Sequence, residues 1–362
     1  MKNILLIFGG DSPESDVSVI SGYQAYQNLD VCKYRIYPLY YIDGELYHIP
    51  TFDLKNIQNF KDNEHNKTHI IDKRLCIFKR KKIKYLSDII DCALVTLHGG
   101  GGEGGIMQGY LQQLDIPYTS CSVLSSAVAL NKYFSKMIAK GLGAGVLDCI
   151  YLTTDTYKNT GVPTVDDKTN GERMIVKPNS MGSSIGITVA EPTNISEAIE
   201  NALLYDTSVI IESCIKKKEY NCAAFSYMGK LFVSDVEEIA AKGDVFSFEE
   251  KYQSENETAT ICEQTELNDK IKDLTEKLYR GFGLNGVARV DYLYDIESKK
   301  LYFNEINTIP GSLAFHLLNK KFTYTEMLDM LIDDAIYTKR HGTVGKKFKS
   351  DILSKNNYFC TK

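Results

Sequence analysis

Hydrophobic residues in this chain come in short blocks separated by glycine and polar turns. The first block, 3–8, is an almost unbroken apolar run and reads as a buried strand. Gly9, Gly10, Asp11, Ser12, Pro13 and Glu14 then make a tight turn, and 16–29 has helical spacing from a start near Ser15. A second unit repeats the plan: the apolar run 91–97 leads into His98 and the glycine-rich stretch 99–105, followed by a helix over 107–114. Strands that end in glycine loops predict an open parallel α/β sheet with its ligand crevice at the strands' carboxyl ends. This first domain is expected to span 1–128.

The rest of the chain changes rhythm. A middle segment, 129–205, carries a helix around Lys132, a strand at 174–176 and the loop 177–186. A last segment, 206–340, has strand-like runs at 208–211 and 231–236, a helix at 268–282, and strands 286–294 and 301–304 joined by a hairpin. From 341 to 362 the chain turns polar and basic and reads as a weakly ordered tail. No internal repeat or low-complexity segment interrupts this order.

Composition narrows the function without naming it. The chain has 362 residues, 43% apolar and 25% charged, which is ordinary for a globular protein of two or three domains. A net charge of −5, with basic runs at 79–84, 216–218 and 346–349 lying apart, argues against nucleic acid as a partner. No apolar stretch approaches the roughly 18 residues a membrane span needs, and the amino terminus lacks a cleavage pattern, so a cytoplasmic location with no membrane partner is expected. Nine cysteines, with no Cys-x-x-Cys pair, predict reduced thiols and no structural zinc.

Two stretches carry candidate chemistry. The loop after Lys177 holds Gly182, Ser183, Ser184 and Gly186, so amides, hydroxyls and a cation could face a phosphate. It is neither a Walker A loop nor a dinucleotide fingerprint, and on its own it also reads as an ordinary glycine turn. Further on, strand alternation places Arg289 with Asp291 on one face and Glu305 with Asn307 on another. Two carboxylates and an amide oxygen suit magnesium; a structural salt bridge from Arg289 to Asp291 or Glu305 is the alternative.

Taken in order, 8–18, 98–109, Asn131-Lys132, 177–186, 249–252 and 289–291 with 304–311 resemble the D-alanine:D-alanine ligase family, vancomycin-resistance D-alanine:D-serine ligases included. The resemblance runs from about Asn3 to Met330. It implies a three-domain ATP-grasp ligase, with an amino-terminal open parallel α/β domain and two α+β domains enclosing the nucleotide. It also implies a homodimer, and the reaction it implies is ATP-dependent joining of two D-alanines, through an acyl phosphate, into a peptidoglycan precursor.

Roles follow by the same resemblance. Lys132, Lys177 and Lys251 would meet the ATP phosphates, with Ser183 and Ser184 on the phosphate loop. Glu212 would accept from the adenine amino group and Glu219 from the ribose hydroxyls. Asp291, Glu305 and Asn307 would hold two magnesium ions, with manganese as a substitute, and Arg289 with the Gly311 amide would face the oxyanion. Glu14 would grip the first ammonium, in a trio with Ser183 and Tyr252 that orders a lid over 244–258, and His98 would lie near the first substrate.

Three departures from the family pattern stand out: Gly104 where Asp is usual, Asn131 where Asp is usual, and His316, before Leu317, where a serine holds the second substrate's carboxylate. His316 keeps open a different acceptor, such as D-serine, or a specialised dipeptide; Tyr252 favours an amine acceptor. An inactive nucleotide-binding regulator is the remaining alternative.

Overall fold

The structure, a computed structural model, describes residues 1–55, 66–79, 82–162, 173–239, 260–262 and 265–341. The first region comprises β1 (Lys2–Gly9), α1 (Ser15–Asn28), β2 (Tyr34–Ile42), β3 (Glu45–His48), β4 (His69–Ile71), β5 (Arg74–Lys79), β6 (Lys82–Tyr85), β7 (Cys92–Val95), α2 (Gly100–Glu103) and α3 (Ile106–Gln113). Its main sheet has the order β3-β2-β1-β7, with β1 parallel to both β2 and β7. Ile4 to Phe8 have no exposed surface, which explains why this strand is apolar at successive positions rather than alternating. A small antiparallel sheet, β4-β5-β6, is added to the side.

The middle region comprises α4 (Val123–Leu130), α5 (Lys132–Gly141), β8 (Cys149–Thr153), α6 (Thr154–Thr160), β9 (Met174–Pro178), β10 (Thr188–Ala190), α7 (Ile195–Leu203) and β11 (Ser208–Ser213). Its antiparallel sheet runs β10-β9-β11-β8 over a core that includes Leu152, Val176, Ile199 and Ile211. The last region comprises β12 (Lys217–Tyr227), β13 (Lys230–Ile239), β14 (Thr260–Ile261), α8 (Thr265–Gly281), β15 (Val287–Asp295), β16 (Lys300–Asn307), a 3₁₀ turn (Gly311–Ala314), α9 (Phe315–Leu318) and α10 (Tyr324–His341). Its sheet is β14-β13-β12-β15-β16. Ile271 and Leu278 of α8 join Tyr220, Val290 and Phe303 in its core.

The closing helix decides where the site forms. Along α10, Tyr324, Met327, Leu328, Leu331, Ile332 and Ile336 recur at helical spacing and are buried in the core of the first sheet. The Tyr34 hydroxyl donates to Asp329 at 2.7 Å and Thr325 Oγ1 donates to the Asn28 carbonyl at 2.8 Å. The chain thus returns to its beginning, and the segment after β16 is drawn across the glycine loops of the first sheet. No helix among the described residues is long and apolar enough to cross a membrane.

Candidate active site

Lys132, Lys177, Ser183, Ser184, Glu219 and Glu305 line one narrow pocket, although they come from separate stretches of chain. Lys132 opens α5, whose amino terminus is capped by Asn131: its Oδ1 accepts from the Phe134 N–H at 2.9 Å. Asparagine caps as well as aspartate does, so this departure leaves the helix start intact. The Lys132 ammonium donates to the Met181 carbonyl and lies 3.3 Å from Glu305 Oε2. In the phosphate loop, Ser183 and Ser184 both hold positive φ, 50° and 59°, a strained conformation for serine of the kind found at functional sites.

Lys177, near the end of β9, places Nζ 2.7 Å from Glu212 Oε2 and 3.4 Å from Asn304 Oδ1. Glu212 is wholly buried, and its other oxygen lies 2.7 Å from Lys136 Nζ. Burial alone would raise the Glu212 pKa; Lys136 and then Lys177 outweigh it and bring it down to about 2. The adenine-facing residue expected from the sequence is therefore held inside an ion triad. Lys136 was not singled out in the sequence, although its place four residues after Lys132 on one helix was the available signal. Glu219, the expected ribose residue, lies on the pocket wall with Lys217 Nζ 2.5 Å away.

Across the pocket, Glu14 precedes α1, is largely buried, and accepts from the Ser183 hydroxyl. That contact joins the first glycine turn to the phosphate loop. Gly99 is there because nothing larger fits: a Cβ would sit 2.3 Å from Glu14 Oε2, and its φ is +66°. Gly104, where the resemblance implied aspartate, would put a Cβ 2.8 Å from the Gly100 carbonyl oxygen and 3.2 Å from Leu130.

His98 is buried, with Nε2 2.7 Å from Ser21 Oγ and Nδ1 2.5 Å from the Ile309 carbonyl oxygen. Burial pulls its pKa down to about 4, so the ring is neutral near pH 7. A carbonyl can only accept, hence Nδ1 carries the proton and Nε2 accepts from Ser21, whose Oγ in turn accepts from the Ser312 N–H at 2.9 Å. Glu103 Oε1 accepts from the Ile309 N–H at 2.9 Å and its Oε2 from the Gly99 N–H at 3.0 Å. Burial, reinforced by the Glu14 charge, pushes the Glu103 pKa up to about 8. His98 and Glu103 thus hold the backbone C=O and N–H of Ile309, the residue that leads into Pro310 and Gly311. The sequence marked His98 as a substrate neighbour; the structure engages both its nitrogens with the protein.

On β15 and β16, Arg289 pairs in register with Asn307, and Asp291 with Glu305. Arg289 donates to Asp291 twice, at 2.7 and 2.8 Å, and Asn307 Nδ2 donates to Asp291 Oδ2 at 3.0 Å. The salt bridge that stood as the alternative reading is therefore present, and it fixes the guanidinium plane. A bulge beside Asp291 re-aims this end of the strand, a frequent device near active sites.

The segment beyond Gly311 is the irregular part. Ser312, Leu313 and Ala314 hold φ of 50°, 51° and 49°, three successive left-handed residues without a glycine among them. His316 is about half exposed, its Nε2 3.5 Å from Glu237 Oε2, and Leu317 packs against the first core. Lys251 and Tyr252 lie outside the described residues, as do Glu249 and Glu250.

Two lysines from α5 and β9, the buried carboxylate of Glu14 against the Ser183 loop, and a strand-borne Arg-Asp-Glu-Asn group on this α/β frame fit an ATP-grasp carboxylate–amine ligase. The comparisons agree over most of the chain. Models of the D-ala D-ala ligase N-terminus and C-terminus match residues 3–121 and 138–333. A D-alanine--D-alanine ligase of Thermosipho melanesiensis is 34% identical over 350 residues, 92% of this chain and 93% of its own. The vancomycin C-type resistance protein VanC1 of Enterococcus gallinarum is 32% identical, with 86% of this chain and 90% of that protein covered. The solved VanG D-Ala:D-Ser ligase of Enterococcus faecalis superposes with a TM-score of 0.78 at 28% identity, over 92% of this chain and 99% of that one. The chain belongs to the D-alanine:D-alanine ligase family.

Proposed function

We propose that this protein joins two D-alanines into D-alanyl-D-alanine for peptidoglycan precursor synthesis, using ATP to activate the first carboxylate as an acyl phosphate. The observation that carries the reading is the contact of Ser183 with Glu14, which puts a buried carboxylate fit for an ammonium beside the phosphate loop. Glu14 holds the first amino acid by its ammonium, so that its carboxylate faces the nucleotide's terminal phosphate. Lys132 and Lys177 offset the phosphate charge, and Arg289 with the Gly311 N–H stabilises the oxyanion formed when the second amine attacks. Phosphate then leaves, and the protein supplies positioning and charge rather than a nucleophile.

Asp291, Glu305 and Asn307 form an all-oxygen donor set on neighbouring strands, the kind that holds magnesium or, in its place, manganese. Two such ions, when bound, would neutralise charge on the phosphates. Glu212 and Glu219 are assigned to the base and the ribose, Lys251 to the terminal phosphate, Tyr252 to the lid, and His316 and Leu317 to the second substrate. The same reading carries a cytoplasmic homodimer. The proposed domains are 1–128, a middle unit from 129, and a last unit to 340. The middle unit is better ended at Ser213, because β11 pairs with β8 and β9.

A second reading, D-alanine joined to another acceptor such as D-serine, is favoured by one observation, the His316–Glu237 contact where the family has serine. Incubation with ATP, magnesium and D-alanine, alone or paired with D-serine, D-lactate or glycine, separates the two by product mass. D-alanyl-D-alanine from D-alanine alone supports the first reading; a mixed product only supports the second. No phosphate release with any of them sinks both.

A further inference from the structure

The two lysines that flank Glu212 are not equivalent. Lys177 stands at the wall of the nucleotide pocket, whereas Lys136 lies behind it, 3% exposed, its other contact among the described residues being the Phe303 carbonyl oxygen at 3.5 Å. Each ammonium is 2.7 Å from a different oxygen of a carboxylate with no exposed surface. For Lys177 to meet a phosphate it must turn from Glu212. A buried carboxylate stripped of its counter-ion is left as an uncompensated charge or takes up a proton. A second cation behind the pocket removes that conflict.

We propose that Lys136 is a positioning residue of the nucleotide site: it holds Glu212 ionised and in place, so that Lys177 can turn to a phosphate. The Glu212 oxygen that Lys177 vacates can then accept from the amino group of the base. The proposal rests on the nucleotide reading above and adds to it a residue that need not touch the nucleotide at all. The groups facing Glu212 are Lys136 from α5, Lys177 from β9 and the Cys149 thiol opposite it on β8; Glu305 and Glu219 act on Lys177 from the pocket side. Burial lowers and Glu212 raises the Lys177 pKa, with a net rise, so Lys177 stays charged while it waits.

The test compares the full-length protein with Lys136→Met, Lys136→Arg, Glu212→Gln and the double variant Lys136→Met/Glu212→Gln. It reads the ATP dissociation constant by calorimetry, kcat at saturating ATP, and the unfolding temperature. Lys136→Met is expected to weaken ATP binding about tenfold or more while kcat falls less than about threefold, and Lys136→Arg to restore most of the affinity. In the Glu212→Gln background, Lys136→Met is expected to add nothing, because the charge it serves is gone. Wild-type ATP affinity in Lys136→Met, with only a lower unfolding temperature, overturns the proposal. So does a further loss of about fivefold or more in the double variant beyond Glu212→Gln, which would mean that Lys136 acts on the nucleotide itself. Should Lys136→Met not fold, the double variant, which strands no charge, decides alone. If ATP binds but D-alanine stimulates no phosphate release, the substrate reading fails while these affinities still judge Lys136. If ATP does not bind, both fall.

Discussion

The two halves of the crevice are built differently. On the side of the two glycine loops, Glu14, His98 and Glu103 are buried, and each hydrogen-bonds to a partner from another part of the chain. On the side of the segment after Gly311, His316 is about half exposed, its ion-pair contact among the described residues being Glu237 at 3.5 Å, and it follows three strained left-handed residues. The departures from the family pattern divide accordingly. Asn131 and Gly104 fall where packing and capping absorb them, and His316 falls where a side chain can meet an incoming molecule. Under the function proposed above, the activation chemistry would sit in a tightly hydrogen-bonded network and acceptor choice in a half-exposed segment.

The largest effect is expected at the residue that serves both halves. Arg289→Met removes the guanidinium proposed to stabilise the oxyanion and should lower kcat by about 10²–10³, with ATP affinity little changed, in steady-state phosphate release. A loss of less than about tenfold would assign Arg289 to the Asp291 salt bridge alone.

His98→Gln comes next. It breaks the chain from Ser312 through Ser21 to the Ile309 carbonyl, and should cost about 1–3 kcal/mol in denaturant unfolding and about 10–100-fold in kcat, since the Gly311 amide is no longer held. The pH dependence separates this from general damage. The folded pKa of His98 is depressed to about 4 from 6.5, so between those values the unfolded chain binds the extra proton and stability rises with pH. Glu103, raised from 4.5 to about 8, gives the opposite slope, its stabilisation fading as pH rises through that window. The wild type should therefore be nearly flat from about pH 4.5 to 6.5, and the gap between wild type and His98→Gln should widen by about 2 kcal/mol from pH 5 to 7. A gap that stays constant would mean that His98 is not held neutral.

Much of this contrast could be read from the chain beforehand, and the unread part has a physical cause. The buried strands 3–8 and 91–97, the glycine loops and the helix at Lys132 are local signals, and β1, β7 and α5 fall where they predict. Strands β2 to β6 and β12 mix polar residues or a proline with their apolar ones, and the apolar stripe of α10 shows only against its partner core. Lys136, Glu103 and Ser21 are not legible beforehand because nothing in the sequence says that a lysine or glutamate is buried; their contacts come from partners as far as 206 and 291 residues away. The half around His316 is legible only as an oddity at that residue, because its geometry depends on β13 and on backbone angles that no residue type announces.

His316→Ser bears on the exposed half alone. The side chain is half exposed and loosely paired, so stability should stay within about 0.5 kcal/mol of wild type. ADP formation in the first half-reaction should be unchanged, while the acceptor KM shifts by about 3–10-fold and the product ratio in D-alanine and D-serine mixtures moves. An unaltered ratio would remove His316 from acceptor selection.

The smallest effect is expected at Asn131, the departure that falls in the enclosed half. Its side chain caps α5 at 2.9 Å, and aspartate offers the same acceptor at the same place, with a negative charge that favours a helix amino terminus. Asn131→Asp should therefore change kcat and ATP affinity less than about twofold and stability by a few tenths of a kcal/mol, whereas Asn131→Ala should cost about 1 kcal/mol by leaving an amide unpaired. Lys132, the next residue, sets the scale of what else could happen. If the added carboxylate in Asn131→Asp instead weakened ATP binding severalfold, the charge would be felt at the Lys132 ammonium, and the family's usual aspartate would have been replaced here for electrostatic rather than neutral reasons. The two substitutions together, read by ATP titration and by denaturant unfolding, distinguish a cap that only starts a helix from one that tunes the cation it presents.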